Sequence, residues 1–426
     1  MKRVTINPGT LRGEVEIPSS KSISHRAVIC AGLSNGVSTI ENACSSEDIT
    51  ATCSAMKNFG AEITKKDNSF IIKGSNKIEI NDSYIDCFES GSTLRFLIPV
   101  ALTGDGKVTF TGRGKLVDRP LMPYYDIFDE QEIKYKNAEG KLPLTVDGKL
   151  KPGEFKIKGN ISSQFISGLL FALPLIDGDS KINITTEMES KRYIDLTLDA
   201  LKRFGIRIEN NGYKEFKIKG NQSYKAADLR IEGDFSQAAF FLAAGTLGSD
   251  VICRGLNMDS HQGDKDILNV LERMGGNISI EGDRVKAIPS KTRGVTVDAS
   301  QIPDLVPVIA VLASLSHGTT KIINAGRLRF KESDRLSAIS CELNKIGADI
   351  KQEEDGLIIE GKDMLYGGRV DSWNDHRIAM AMAVASTRCK NQLIIENSDC
   401  IKKSYPEFWD HFRKLGGKTD ERCLGE

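Results

Sequence analysis

The chain has 426 residues, with 58 Lys+Arg against 58 Asp+Glu, 40% hydrophobic and 27% charged. A chain this long buries about 75% of its unfolded surface, so stability requires neither disulfides nor metal, and more than one domain is expected. Zero net charge excludes a surface devoted to nucleic acid or anionic membrane, because both need a basic excess.

The N-terminal segment breaks at Asn7, Pro8 and Gly9 before any apolar run of signal-peptide length. A first strand is expected over 5–17. Ser20 then opens an apolar, small-residue-rich helix over 20–33, followed by a strand at 37–40 and a more amphipathic helix that ends at Gly60. A hairpin of 61–63 and 70–73 around Asp67 and Asn68 closes the unit, which reads β-α-β-α-β-β.

The same order recurs along the chain. Apolar helices are expected at 90–102, 162–173, 234–247, 304–315 and 375–384, each with a strand-like run after it. The amphipathic helices end at Gly60, Gly205, Gly275, Gly347 and Gly416, which suits a left-handed C-cap. The later spacings are 70, 72 and 69 residues and the first is 145, so a degenerate copy belongs near 132, where Glu132 stands in the glycine position. Six units of 71 residues account for the chain.

One helix class is apolar all round and must be buried, while the other has a charged face. The expectation is an α/β fold with helices inside and sheets outside. Three units make one domain over 19–231, and residues 1–18 with 232–426 make a second, with a cleft and hinge at about 18–20 and 230–234. The nine cysteines form no zinc-like or C-x-x-C spacing and read as free thiols of a reducing cytosol. The longest apolar stretch, 165–176, carries Ser167 and Pro174 and is too short to span a bilayer.

Polar residues collect where these helices begin, beyond what one capping side chain requires. Lys21 and Arg26 at a helix start oppose the macrodipole, a conflict that an anionic ligand resolves. Arg119, Lys331, Arg335, Arg377 and Lys403 begin other helices, and the internal symmetry points them toward one cleft. So many cations in a neutral chain suggest a small polyanion, phosphorylated and carboxylated. Asp304, Glu332 and Asp375 lie among them as candidate proton carriers.

Five segments in order carry a resemblance over essentially the whole chain: 17–26 with Lys21 and Arg26, 161–165 with Ser162, Ser163 and Gln164, 190–195 with Ser190 and Tyr193, 331–336 with Lys331, Glu332 and Arg335, and 374–381 with Asp375 and Arg377. The chain resembles the 3-phosphoshikimate 1-carboxyvinyltransferase (EPSP synthase) family of enolpyruvyl transferases. The resemblance implies two inside-out α/β barrel domains of three β-α-β-α-β-β repeats. It implies transfer of the enolpyruvyl group of phosphoenolpyruvate to the 5-hydroxyl of shikimate 3-phosphate, with release of phosphate and no cofactor or metal.

It further implies that Lys21, Ser22, Arg26, Ser162, Ser163, Gln164, Ser190, Tyr193, Asp304, Arg327 and Lys331 hold shikimate 3-phosphate. Phosphoenolpyruvate falls to Lys21, Gly91, Arg119, Gln164, Arg335, Arg377 and Lys403, and catalysis to Asp304, Glu332 and Lys21. Two positions depart from the family pattern: Glu89 and Arg327 stand where asparagine is usual. The implied protein is a cytoplasmic monomer acting on small molecules, without nucleic-acid or membrane partners. Transfer to UDP-N-acetylglucosamine is disfavoured by Ser22 and by the absence of cysteine in 111–120, and a non-catalytic phosphometabolite binder by the presence of Asp304 and Glu332.

Overall fold

Side-chain chemistry sorts the helices of this computed structural model, which describes residues 2–75 and 77–423, into two classes. Inner and outer helices alternate as α1 (Lys21–Gly32) and α2 (Glu47–Asn58), α3 (Gly91–Ala101) and α4 (Met122–Gln131), and α5 (Ser163–Ala172) and α6 (Lys191–Arg203). The alternation continues with α7 (Phe235–Thr246) and α8 (Ile267–Arg273), α9 (Val306–Ser314) and α10 (Arg335–Lys345), and α11 (His376–Ser386) and α12 (Phe408–Lys414). Every residue of α7, α9 and α11 is buried. In α3 and α5 the exceptions are Ser92 and Gln164, both polar and both in the first turn. Outer helices keep a wet face: α6 buries Ile194, Leu196, Thr197, Ala200 and Leu201 and leaves its other residues partly or fully exposed. Among the described residues no helix is long and apolar enough to cross a membrane.

Contacts divide the chain into two compact units, one of Ser19–Ile231 and one of Met1–Pro18 with Glu232–Glu426. Each has its own apolar core. Six mixed sheets cover these cores, and one order recurs in all six. In the sheet around α5, strand Glu154–Ile157 pairs parallel with Ser180–Ile184, as a right-handed crossover through a helix allows. Ser180–Ile184 pairs antiparallel with Glu215–Ile218, whose hairpin partner Ile208–Asn211 lies at the edge. Three copies borrow a strand from elsewhere within their own unit. Tyr224–Lys225 and Leu229–Arg230 supply the first strand for the copy at α1, Arg12–Glu16 supplies it for the copy at α7, and Lys2–Asn7 completes the copy at α11.

The single strand expected over 5–17 is two strands. Lys2–Asn7 joins one sheet and Arg12–Glu16, paired parallel with Asp250–Arg254, joins another. Pro8 and Gly9 lie in the break, as proline's missing N–H predicts. The barrel expectation is also corrected at the level of hydrogen bonding. Among the described residues the six sheets stay separate and no closed barrel forms: five copies end in their own hairpin edge, and the copy at α11 ends in Lys418–Cys423 paired with Lys2–Asn7.

The recurring C-cap is left-handed in every copy. Gly60, Gly205, Gly275, Gly347 and Gly416 have φ of 98°, 84°, 90°, 99° and 93°, and Glu132 reaches the same region at 57°. A Cβ at Gly416 would meet nothing within 4 Å, so there the backbone alone sets the requirement. Gly416→Ala should therefore cost about 1–2 kcal/mol of stability and Glu132→Gly should cost nothing or stabilise. Thermal unfolding midpoints of the two variants check this, and an unchanged midpoint in Gly416→Ala would refute a conformational origin.

Candidate active site

Polar side chains gather in each unit at the first turns of inner and outer helices. In Ser19–Ile231, Lys21 at the start of α1 pairs with Asp48 of α2, Nζ to Oδ2 at 2.7 Å. Arg26, one turn further and buried, donates from Nε to Thr197 Oγ1 at 2.8 Å, from Nη1 to the Ser22 carbonyl at 2.7 Å and from Nη2 to the Tyr193 carbonyl at 2.9 Å. These bonds tie α1 to α6 and bring Ser22, Arg26 and Tyr193 together, beside Ser190, which begins α6 in a left-handed conformation. Burial lowers the Arg26 pKa to about 10, opposed by Tyr193 and Cys30, so it stays charged at neutral pH.

A second group forms around α3 and α5. A Cβ at Gly91 would lie 2.6 Å from Arg119 Nη1 and 3.6 Å from Gln164 Oε1, so the absent side chain is what lets the guanidinium approach. Gln164 accepts from Arg95 Nη1 at 2.9 Å and donates to Ser92 Oγ at 2.9 Å, and Arg95 Nη2 donates to the Pro120 carbonyl at 3.3 Å. Ser162 caps α5 by accepting from the Gln164 N–H at 3.3 Å, and Ser163 behind it is buried. Thr93 donates its N–H to Ser90 Oγ and its hydroxyl to the Asp48 carbonyl, which links this group to Lys21. Glu89 lies against Gly114, where its carboxylate occupies the space a side chain would need.

In the other unit the charges are closer still. Arg335 begins α10 with 1% of its side chain exposed, and donates from Nε to Asp375 Oδ2 at 2.8 Å, from Nη1 to Asp304 Oδ1 at 2.8 Å and from Nη2 to Glu332 Oε2 at 2.6 Å. Arg377 Nη2 donates to Asp304 Oδ2 at 3.0 Å and to Ser236 Oγ at 3.0 Å, and Lys331 Nζ stands 3.5 Å from Asp304 Oδ1. Lys403 donates to the Asn374 carbonyl at 2.7 Å. Arg327 is set to one side and donates to the Ser300 carbonyl.

The electrostatics follow from this geometry. Burial pushes the Asp304 carboxyl upward, but Arg377, Lys331 and Arg335 together outweigh it and hold the group well below the usual carboxylate range. Burial lowers the Lys331 pKa, aided by Arg335 and Arg327 and opposed by Asp304 and Glu332. Burial also works against the charge on Arg335, yet Asp375, Glu332 and Asp304 raise its pKa.

Asp304 is not the cap of α9, although its sequence position suggests one. It lies in the 3-10 turn Pro303–Leu305, and Leu305 precedes the helix. Glu332 and Arg335 are not a solvated pair either, since Arg335 is buried. Sequence reasoning missed Asp48, Arg95 and Ser236. A charged residue inside an apolar helix marks Arg95 in the sequence, whereas nothing local distinguishes Asp48 from an ordinary first-turn acid.

A family model described as EPSP synthase (3-phosphoshikimate 1-carboxyvinyltransferase) matches residues 6–412. Proteins named 3-phosphoshikimate 1-carboxyvinyltransferase from Clostridium novyi and Clostridium kluyveri are each 58% identical over 100% of both chains. An EPSP synthase structure from Acinetobacter baumannii superposes with a TM-score of 0.82 at 24% identity, covering 99% of this chain and 100% of that one. At that identity the likeness speaks for the fold alone.

The depressed carboxyl has a measurable consequence. A folded-state pKa below the unfolded one stabilises the protein above the unfolded value, and that contribution is lost as pH falls through the folded value. Asp304→Asn should cost about 3 kcal/mol at neutral pH by leaving buried cations under-compensated. The gap to wild type should stay constant above about pH 5 and narrow below about pH 4, as urea midpoints across that range would show.

Proposed function

This chain belongs to the EPSP synthase (3-phosphoshikimate 1-carboxyvinyltransferase) family, and from that premise we infer how its residues divide the work. The protein transfers the enolpyruvyl group of phosphoenolpyruvate to the 5-hydroxyl of shikimate 3-phosphate and releases phosphate, a step of the shikimate pathway. In our reading the two compact units are the two inside-out α/β barrel domains of the family, and the enzyme works in the cytoplasm as a monomer on these two small molecules.

Chemistry assigns the roles. Protonation of the methylene carbon makes C2 of phosphoenolpyruvate electrophilic, while the 5-hydroxyl gives up its proton and its oxygen bonds to C2. Elimination then removes a proton from the new methyl group, breaks the bond from C2 to the phosphate oxygen and restores the double bond. Glu332, with Lys21, exchanges the proton at the methylene carbon, and Asp304 takes the hydroxyl proton. Shikimate 3-phosphate is held by Lys21, Ser22, Arg26, Ser162, Ser163, Gln164, Ser190, Tyr193, Asp304, Arg327 and Lys331. Phosphoenolpyruvate is held by Lys21, Gly91, Arg119, Gln164, Arg335, Arg377 and Lys403.

The observation that carries this assignment is Asp304 held between Arg335 and Arg377 at 2.8 and 3.0 Å. As it stands, Asp304 is a weak base, because three cations stabilise its ionised form. A bound phosphoenolpyruvate carboxylate would share those guanidiniums, weaken their hold on Asp304 and raise its basicity where the hydroxyl proton must go. Arginine suits that exchange, since its planar fork serves two carboxylates at once.

Phosphate release with phosphoenolpyruvate and shikimate 3-phosphate, with UDP-N-acetylglucosamine as the parallel acceptor, tests the reaction; release with shikimate 3-phosphate alone is expected. Asp304→Ala and Glu332→Gln should each lower kcat by at least ~10²-fold while far-UV circular dichroism is retained. Near-normal turnover in either variant removes that residue from the chemistry. Gly91→Ala should raise KM for phosphoenolpyruvate more than KM for shikimate 3-phosphate, because the new Cβ displaces Arg119. An equal rise in both would separate Gly91 from the phosphoenolpyruvate assignment.

A further inference from the structure

Immediately before Asp375 and Arg377, Trp373 and Asn374 are both left-handed, each with φ of 53°. Two consecutive non-glycine residues in that region, one of them a bulky aromatic, are strained and persist only where the surroundings over-determine them. Within the turn, the Trp373 N–H donates to Asp371 Oδ1, the Asn374 N–H to Ser372 Oγ at 3.2 Å and the Asp375 N–H to the Ser372 carbonyl at 2.9 Å. Asn397 holds the far side, donating to Asp371 Oδ2 at 2.8 Å and accepting Ser372 Oγ on its carbonyl at 3.0 Å.

The remaining hold comes from Glu342, a fully buried carboxylate on α10. Its Oε1 accepts the Trp373 indole N–H at 2.7 Å, its Oε2 accepts the Asp371 N–H at 3.0 Å, and Lys345 Nζ lies 2.8 and 2.9 Å from the two oxygens. Arg335 stands seven residues earlier on the same helix, a spacing of two turns that puts both on one face. Helix α10 therefore grips the segment 371–375 twice: Arg335 binds the Asp375 carboxylate, and Glu342 binds the turn behind it. Arg377 follows that turn and Lys403 donates to its Asn374 carbonyl, so the relative placement of all three cations depends on it.

We propose that Glu342 is a positioning residue for the anion site: its two bonds to the Asp371–Trp373 turn hold the strained backbone that sets Arg377 and Lys403 against Arg335. The proposal rests on the assignment of those three cations to phosphoenolpyruvate. A packing role alone would cost stability evenly. A positioning role predicts a selective loss, because a misplacement of about 1 Å in a binding group weakens the contacts of one ligand far more than those of another.

Glu342→Gln keeps the size but turns one acceptor into a donor that opposes either the Asp371 N–H or the indole N–H. Trp373→Phe removes the indole donor alone. The chain has two tryptophans, so protein labelled with 5-fluorotryptophan gives one ¹⁹F line for Trp373, identified by its loss in Trp373→Phe, and one for Trp409 in the core. In Glu342→Gln the expected result is a KM for phosphoenolpyruvate raised about tenfold, with kcat and the KM for shikimate 3-phosphate within about threefold of wild type. The Trp373 line should move and the Trp409 line stay. Trp373→Phe should raise the phosphoenolpyruvate KM in the same direction by a smaller factor.

Three results would overturn the proposal: a phosphoenolpyruvate KM within twofold of wild type while the Trp373 line moves; a fall in kcat and a rise in both KM values together, with a displaced Trp409 line; or a rise in Glu342→Gln with Trp373→Phe at wild-type values. Wild-type phosphate release is the separate control. Its absence would defeat the reaction assignment itself, whereas the Glu342 proposal is judged on the ratio of variant to wild type.

Discussion

Two guanidiniums, Arg335 and Arg377, are buried close enough to share one carboxylate, and much of the unit that contains them is arranged around that fact. Like charges repel, and removal from water costs each of them several kcal/mol in effective terms. Asp304, Glu332 and Asp375 offset both costs, but they are not equivalent. Asp375 is 0% exposed, bound to Arg335 and engaged in capping α11, so its bonds are all structural. Asp304 and Glu332 are 18% and 17% exposed and remain within reach of a ligand. Exposure thus separates the acid that builds the site from the two to which the proposed proton transfers are assigned.

The fold supplies such positions repeatedly. In four of the six sheets the first two strands are parallel and joined through the inner helix, so that helix runs back and begins beyond the end of the first strand. The interior of that helix is apolar and buried, and its first turn is the place where side chains can be polar without being sealed in the core. Lys21, Ser22, Ser92 and Gln164 occupy such turns, partly exposed at the heads of otherwise buried helices. Unpaired N–H groups at those turns favour anions, and so do the cations placed beside them. One repeated supersecondary unit therefore yields several anion-facing positions without a dedicated binding loop.

Electrostatics and backbone strain meet at 371–377. Asp375 must cap α11 and bind Arg335 with the same carboxylate, and the chain reaches that geometry through two left-handed residues in succession. The bonds from Glu342 and Asn397 act on the turn 371–373, through its backbone and its side chains, rather than on the carboxylates of Asp304 and Glu332. Such residues are silent in a motif search, because their work is done through another residue.

Periodicity made the repeat legible. Apolar helices, amphipathic helices and a left-handed stop every seventy or so residues follow from local chemistry, and even Glu132 was placed correctly by spacing, because a helix end that needs positive φ imposes it on whatever residue stands there. The candidate cations and acids were legible for a related reason: charge at the head of an apolar helix has no packing role and stands out. The N-terminal strands were not legible, since Lys2–Asn7 and Arg12–Glu16 pair with partners hundreds of residues away, and only those partners decide which sheet each one joins. The partnerships within the site were equally hidden. That Asp304 bonds to two arginines rather than capping its helix, that Asp48 answers Lys21, and that Glu342 holds Trp373 are facts about distance in space. By itself the sequence determined which segments are helices, which are buried and which chemistry sits at their ends, because these depend on neighbours along the chain. Which charge meets which, and so which acid stays partly exposed, was decided only by the tertiary structure, because Coulomb interactions and hydrogen bonds act over a few ångströms and take no account of separation in sequence.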